Sequence, residues 1–135
     1  RGLGDVYKRQ GAWGEDSRRT IQWDKREEWD LKFLNLVTVL VHLRRNSHAL
    51  AHGGLRFIAA QDDYIAYLRE SDEGSLLVVI NRCTCNISVN LTDYDYSIDE
   101  IIIGDSDSAG TNSGQSSLHF RPHEAGVHIW SLKKS

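Results

Sequence analysis

No segment of this 135-residue sequence is long and apolar enough to span a bilayer as a helix. The longest apolar runs, Leu76 to Ile80 and Ile101 to Ile103, fall far short of the roughly 18 residues that mark such a span. No membrane partner is expected. Basic charge is also scarce: 16 Lys and Arg stand against 19 Asp and Glu, a formal net charge of −3 at pH 7. No stretch interleaves Lys and Arg with aromatics, so a phosphate backbone finds no footprint and nucleic acid is excluded as a partner. There is no Gly-rich phosphate loop. His48 and His52 have i,i+4 spacing without the glutamate of a zinc-protease helix, and they read as a surface pair near a helix end.

Cysteine is limited to Cys83 and Cys85. On a strand their Cα atoms would be about 6.8 Å apart, beyond easy disulfide reach. Two free thiols are therefore expected. With no further cysteine and no nearby histidine to complete four ligands, no metal and no cofactor are expected either. Free thiols suit a reducing cytoplasm. Asn86-Ile87-Ser88 and Asn90-Leu91-Thr92 match the glycosylation sequon, which has meaning only on a eukaryotic secretory route.

The residues that are present describe a soluble globular chain, 40% hydrophobic and 26% charged. Its length suits one domain, or a small domain with a piece of another. The stretch Asp5-Val6-Tyr7-Lys8-Arg9-Gln10 resembles the translation of a transposase adapter used in sequencing libraries, so residues 1–10 are expected to carry no fold information. Residues 11–24 are polar and Gly-rich, with Trp13 and Trp23 but no sustained period, and read as a long loop. Asp24 to Glu27 has capping-box spacing, and Asp30 is a second N-cap candidate for a helix running to Arg45. On a helical wheel its apolar residues, Leu31 to Leu43, cover an arc of roughly 220°, which predicts burial on two sides. Arg44, Arg45 and His48 suit its C-terminal dipole, and Gly53-Gly54 marks a break.

After Gly54 the pattern becomes strand-like: Leu55–Ala60, Tyr64–Arg69, Leu76–Asn81, Ile87–Leu91, Ile98–Ile103, Leu118–Phe120 and Val127–Leu132. Turn clusters at Gln61 to Asp63, Ser71 to Ser75 and Gly104 to Ser117 separate them, with Pro122 leading the last turn. This predicts an antiparallel all-β sandwich. Leu76 to Ile80 is apolar on both faces and predicts a central strand covered on two sides.

The loop Gly11-Ala12-Trp13-Gly14-Glu15-Asp16-Ser17-Arg18-Arg19-Thr20-Ile21-Gln22-Trp23-Asp24 resembles the segment after the last barrel strand in bacterial α-glycosidases of the α-amylase superfamily (glycoside hydrolase family thirteen), with related loops in neopullulanases, cyclomaltodextrinases and maltogenic amylases. The resemblance rests on a Gly-rich start, an Asp, paired arginines, and Trp followed by an acid. It continues through Leu43-Arg44-Arg45-Asn46-Ser47-His48-Ala49-Leu50, Gly53-Gly54, Ile65 to Arg69, Leu76 to Asn81 and the last strand ending in Trp130. Gly14 and Thr20 depart from the cyclomaltodextrinase pattern, which expects Asp and Pro there, and this favours an α-glucosidase for small oligosaccharides.

The resemblance implies a C-terminal fragment: residues 11–53 form the end of a TIM (β/α)8 barrel, its final strand-to-helix loop and last helix, and residues 54–135 form a Greek-key-like C-terminal sandwich. It implies a retaining mechanism in which one carboxylate attacks the anomeric carbon and another protonates the leaving oxygen. Those groups stand on earlier barrel strands, so no catalytic residue is expected here and the fragment alone should be inactive. Trp13, Asp16 and Arg18 are the candidate contacts to an α-linked oligosaccharide. Arg18 has an alternative as a brace on Asp16, and Trp13 as a cover for the barrel mouth. Trp23 reads as packing. The barrel is expected to pack on the helix of residues 30–45. Two alternatives stay open: the tail of a glucanotransferase or sugar isomerase of the same superfamily, and a free-standing sandwich module for carbohydrate or protein contact.

Overall fold

A computed structural model describes residues 23–104 and 113–135. The chain divides into two compact units, Arg1–Thr38 and Val39–Ser135. In the first unit a 3-10 turn at Arg26–Glu28 precedes α1, Leu31–Asn46, which continues into the second unit. Of the two N-cap candidates, Asp30 fills the role: its Oδ1 accepts the Phe33 N–H at 3.0 Å, satisfying one of the donors that a helix start leaves unpaired. Asp24 does not cap the 3-10 turn, whose N-cap position is Lys25 without a side-chain capping hydrogen bond.

Among its described residues the second unit holds a short helix α2, His48–His52, and seven strands: β1 Gly54–Ala60, β2 Tyr64–Ser71, β3 Gly74–Asn81, β4 Ile87–Asn90, β5 Tyr96–Ile103, β6 Ser117–Phe120 and β7 Gly126–Lys134. All seven expected strands form, most extended by one or two residues. They make a five-stranded antiparallel sheet in the order β1-β2-β3-β7-β5 and a two-stranded sheet, β4-β6. From β3 onward the chain changes sheet at every connection, which stitches the two sheets into a sandwich.

The period of two along β3 decides the layers. Leu77 and Val79 point into the space between the sheets, with Ala66 and Leu68 of β2, Ile98 of β5, Trp130 of β7, and Ile87, Val89, Leu118 and Phe120 of the smaller sheet. Leu76 and Val78 point the other way, into a second cluster with Ile129 and Ala49 of α2, joined at its rim by Leu40, Leu43, Leu50 and Tyr67. β3 is thus covered on both faces, as expected. Each fully buried Leu or Val there is worth roughly 1.5–3 kcal/mol. Bulges adjust the register where the alternation would fail. On β5, Ile98 pairs with Leu132 and Ile101 with Trp130, three residues against two, and this keeps both isoleucines on the inner core.

α2 is a helix of its own rather than the tail of α1. Ser47 Oγ accepts the Leu50 N–H at 3.4 Å, and the Gly53 N–H closes the other end on the Ala49 carbonyl at 3.0 Å. Arg69 reaches across from β2, donating from Nε to the Ala49 carbonyl at 3.2 Å and from Nη2 to the Leu50 carbonyl at 3.0 Å. A guanidinium on the last carbonyls of a helix adds donors where intrahelical ones run out, giving Ala49 a second beside the Gly53 N–H and Leu50 one from outside the helix. His48 and His52 lie on α2 with ring centroids 5.2 Å apart, an exposed pair at a helix end.

Burial of α1 on two sides is not what this chain provides. None of its 16 residues is buried. Leu31 and Phe33 are 63% exposed, and Leu34, Leu36, Val37, Val39 and Val41 are all exposed too.

Gly53 sits where nothing larger fits: a Cβ would lie 2.3 Å from the Ala49 carbonyl oxygen and 2.7 Å from that of Glu70. At Gly54 the nearest such atom is 4.0 Å away. Gly53→Ala is therefore expected to lower stability by about 2 kcal/mol or more, as overpacking against backbone does, while Gly54→Ala stays within about 1 kcal/mol of the parent. Urea unfolding of the two variants checks this, and equal midpoints would contradict it.

Candidate functional site

Trp13, Asp16 and Arg18, the candidate sugar contacts, lie outside the described residues. The structure is described from Trp23 onward. Trp23 packs edge-on against Trp29, with centroids 5.5 Å apart and planes at 68°, and the Arg26 guanidinium lies 5.5 Å from the Trp29 centroid. With Asp30, Phe33, Leu34 and Val37 the two tryptophans line an open slot of about 400 Å³. Trp23 is 70% exposed. The lining of the slot is apolar apart from the one carboxylate of Asp30.

The described carboxylates work locally. Asp62 and Asp63 occupy the β1–β2 turn, and Asp93 and Asp95 lie in and just after the 3-10 turn Thr92–Tyr94, with Asp95 in the left-handed region at φ 59°. Asp63 Oδ1 meets Arg82 Nε at 3.3 Å. Glu70 accepts from Arg56 and from the Tyr96 hydroxyl, which also bonds the buried Ser75 hydroxyl at 3.1 Å. Asp99 pairs with Lys133 at 2.9 Å. Lys133 and the Ser131 hydroxyl hold the Asp99 carboxyl below its usual range, and Asp99 pushes Lys133 up.

The cysteines do not lie on a strand. Residues 82–84 bend between β3 and β4, which removes the extended spacing that the sequence suggested. Both thiols are free, Cys83 exposed and Cys85 half-buried against the inner core. The bend brings Cys83 Sγ, Cys85 Sγ and an Asp63 carboxylate oxygen within 4.8 Å of one another. Slight desolvation, the hydrogen bond to Asp63 and its negative charge push the Cys83 thiol above its ordinary value. Asp63 was not anticipated as a neighbour of the cysteines, yet the signal was available. In an antiparallel hairpin the residue before the first strand adjoins the residues after the second, and here Tyr64 pairs with Asn81.

No protein-family model matches the chain. A cyclomaltodextrinase from Bacillus sp is 31% identical over 81 residues, covering 58% of this chain and 14% of that protein. Trehalulose synthase MutB from Pseudomonas mesoacidophila MX-45 superposes with a TM-score of 0.58 at 31% identity, over 70% of this chain and 17% of that structure. Isomaltulose synthase SmuA from Protaminobacter rubrum superposes with a TM-score of 0.57 at 28% identity, over 71% and 17%. Two variants of MutB have also been solved, one with glucose and one with the substrate sucrose. The chain therefore spans less than a fifth of the length of each of these relatives.

The raised Cys83 value makes a pH-dependent prediction. A raised thiol pKa leaves less thiolate at a given pH, and thiolate is the nucleophile. In a Cys85→Ser background, alkylation of Cys83 by iodoacetamide should reach half its maximal rate at a higher pH than an ordinary thiol does. Asp63→Asn should move that midpoint down and speed the reaction several-fold at pH 8. An unchanged midpoint in Asp63→Asn would show that the carboxylate does not act on the thiol.

Proposed function

Because this chain is the C-terminal part of an α-amylase-superfamily (glycoside hydrolase family thirteen) enzyme, a β-sandwich following a barrel helix, we propose that it completes a retaining α-glycosidase. The substrates are short α-glucosides, malto-oligosaccharides among them. The observation that carries this reading is the agreement of two likenesses, in sequence to a cyclomaltodextrinase and in fold to a trehalulose synthase and an isomaltulose synthase. In the proposed organisation residues 1–10 are adapter-derived, residues 11–53 end the barrel, and residues 54–135 are the tail domain.

In this reading the chemistry belongs to carboxylates on the barrel. One carboxylate forms the glycosyl-enzyme bond as the other protonates the departing oxygen, and water or a second sugar then reverses the exchange. This chain contributes at the edge. Arg18 contacts the bound sugar with Trp13 and Asp16 beside it, and the apolar face of α1 receives the barrel. That second role gives Leu31, Phe33, Leu34 and Val37 their partner. Among the described residues no helix is long and apolar enough to cross a membrane. The two free thiols support a cytoplasmic setting.

A second reading has its own support. MutB and SmuA are named as synthases of trehalulose and isomaltulose, which supports reading the parent as a sugar isomerase, one that keeps the retaining chemistry and returns the glycosyl group to a sugar hydroxyl instead of water. Product analysis separates the two. With maltotriose the hydrolase releases glucose and maltose, whereas the isomerase converts sucrose into an isomer of equal mass.

Arg18→Ala in the intact parent tests the assigned contact. Loss of a charge-assisted hydrogen bond costs about 1.5–3 kcal/mol, so kcat/KM should fall by about 10-fold to 100-fold while the melting temperature stays within a degree or two of the parent. Unchanged kcat/KM with a lowered melting temperature would assign Arg18 to bracing the loop through Asp16.

A further inference from the structure

The cluster at Asp63, Cys83 and Cys85 stands apart from the proposed sugar chemistry. It combines two sulphurs and a carboxylate on two different connections, the β1–β2 turn and the β3–β4 bend. Three potential ligand atoms lie within 4.8 Å of one another. In a tetrahedral site with Zn–S bonds of about 2.3 Å, ligand atoms are separated by about 3.8 Å, so closing this triad on a cation takes movements of about 1 Å.

The backbone around the triad is held in place. The Arg82 N–H donates to the Asp63 carbonyl at 2.9 Å, tying the turn to the bend. Asn81, only 3% exposed, donates from Nδ2 to the Cys83 carbonyl at 3.0 Å and to the Glu124 carbonyl at 2.8 Å, anchoring the bend to the segment before β7. Cys85 rests on the inner core. The side chains therefore supply ligands from a fixed frame, which lowers the ordering cost of binding.

We propose that Asp63, Cys83 and Cys85 form a binding site for one thiophilic divalent cation of the Zn²⁺ type, with water in the fourth position. Two thiolates select a soft or borderline ion over Mg²⁺ or Ca²⁺, and the carboxylate adds the third anionic donor. Arg82 Nε holds Asp63 Oδ1 at 3.3 Å, and both side chains are substantially exposed, which leaves the second carboxylate oxygen to turn toward the metal at little cost. Binding expels the two thiol protons to solvent, so affinity rises with pH across the thiol range. The expectation of no metal rested on the lack of a further cysteine or a nearby histidine to complete four ligands. Asp63 supplies the third ligand, and water supplies the last position as in other three-ligand zinc sites. The ion would pin the two connections together and stabilise the fold.

Titration of the full, reduced chain with Cd²⁺ alone tests this through the thiolate-to-metal charge-transfer absorption. One Cd²⁺ per chain is expected, competed off by Zn²⁺. Cys83→Ser and Cys85→Ser should each abolish the tight site, and Asp63→Asn should weaken it by at least 10-fold. Zn²⁺ should raise the melting temperature of the parent but not of Cys83→Ser, which keeps its fold because Cys83 is exposed. Absence of the absorption band, one metal shared between two chains, or an Asp63→Asn affinity equal to the parent's would each overturn the site. Because the readout is metal binding, its failure leaves the proposed glycosidase role untouched, and loss of sugar activity in the parent leaves this site untouched.

Discussion

The structure of the second unit depends on one constraint: β3 is apolar on both faces. A strand with leucine or valine at four consecutive positions cannot present either side to water, so a layer must lie on each. The smaller sheet covers Leu77 and Val79, and α2 with the end of α1 covers Leu76 and Val78. The sheet order follows, since β3 takes the centre of β1-β2-β3-β7-β5 and receives neighbours on both edges. Arg69 and Gly53 serve the same constraint from the outside. The guanidinium satisfies the end of α2, and the missing side chain lets that end come close to the β2 backbone.

Much of this was legible in the sequence, for specific reasons. Strand bounds could be read because each apolar run is closed by a turn cluster, as at Asp62-Asp63 and Asp72-Glu73. The central place of β3 followed from Leu76 to Ile80 alone. Which strands share a sheet could not be read, because pairing depends on contacts remote in sequence, such as β3 with β7 across some fifty residues. The bulges on β1 and β5 hid part of the core, since a strict period of two would send Ile98 and Ile101 to opposite faces.

Local chemistry explains the other differences. α2 escaped notice because Ser47 interrupts an otherwise continuous helical pattern, although serine before His-Ala-Leu-Ala is itself an N-cap signal. The cysteine spacing was judged on strand geometry, and the chain bends there instead. The sugar contacts Trp13, Asp16 and Arg18 rest on the resemblance and on the proposal built from it. The wide apolar arc of α1 was also legible, and the structure gives it meaning by showing how little of it this chain covers.

That uncovered face is where the account of the chain as the tail of a barrel enzyme is most directly exposed to test. Amide hydrogen exchange, followed by mass spectrometry, compares peptides covering residues 31–41 in the intact parent and in this chain alone. If the barrel seats on α1, those amides exchange at least 100-fold more slowly in the parent, while peptides from β3 and β7 exchange equally slowly in both. Equal exchange of residues 31–41 in the two proteins would contradict the account.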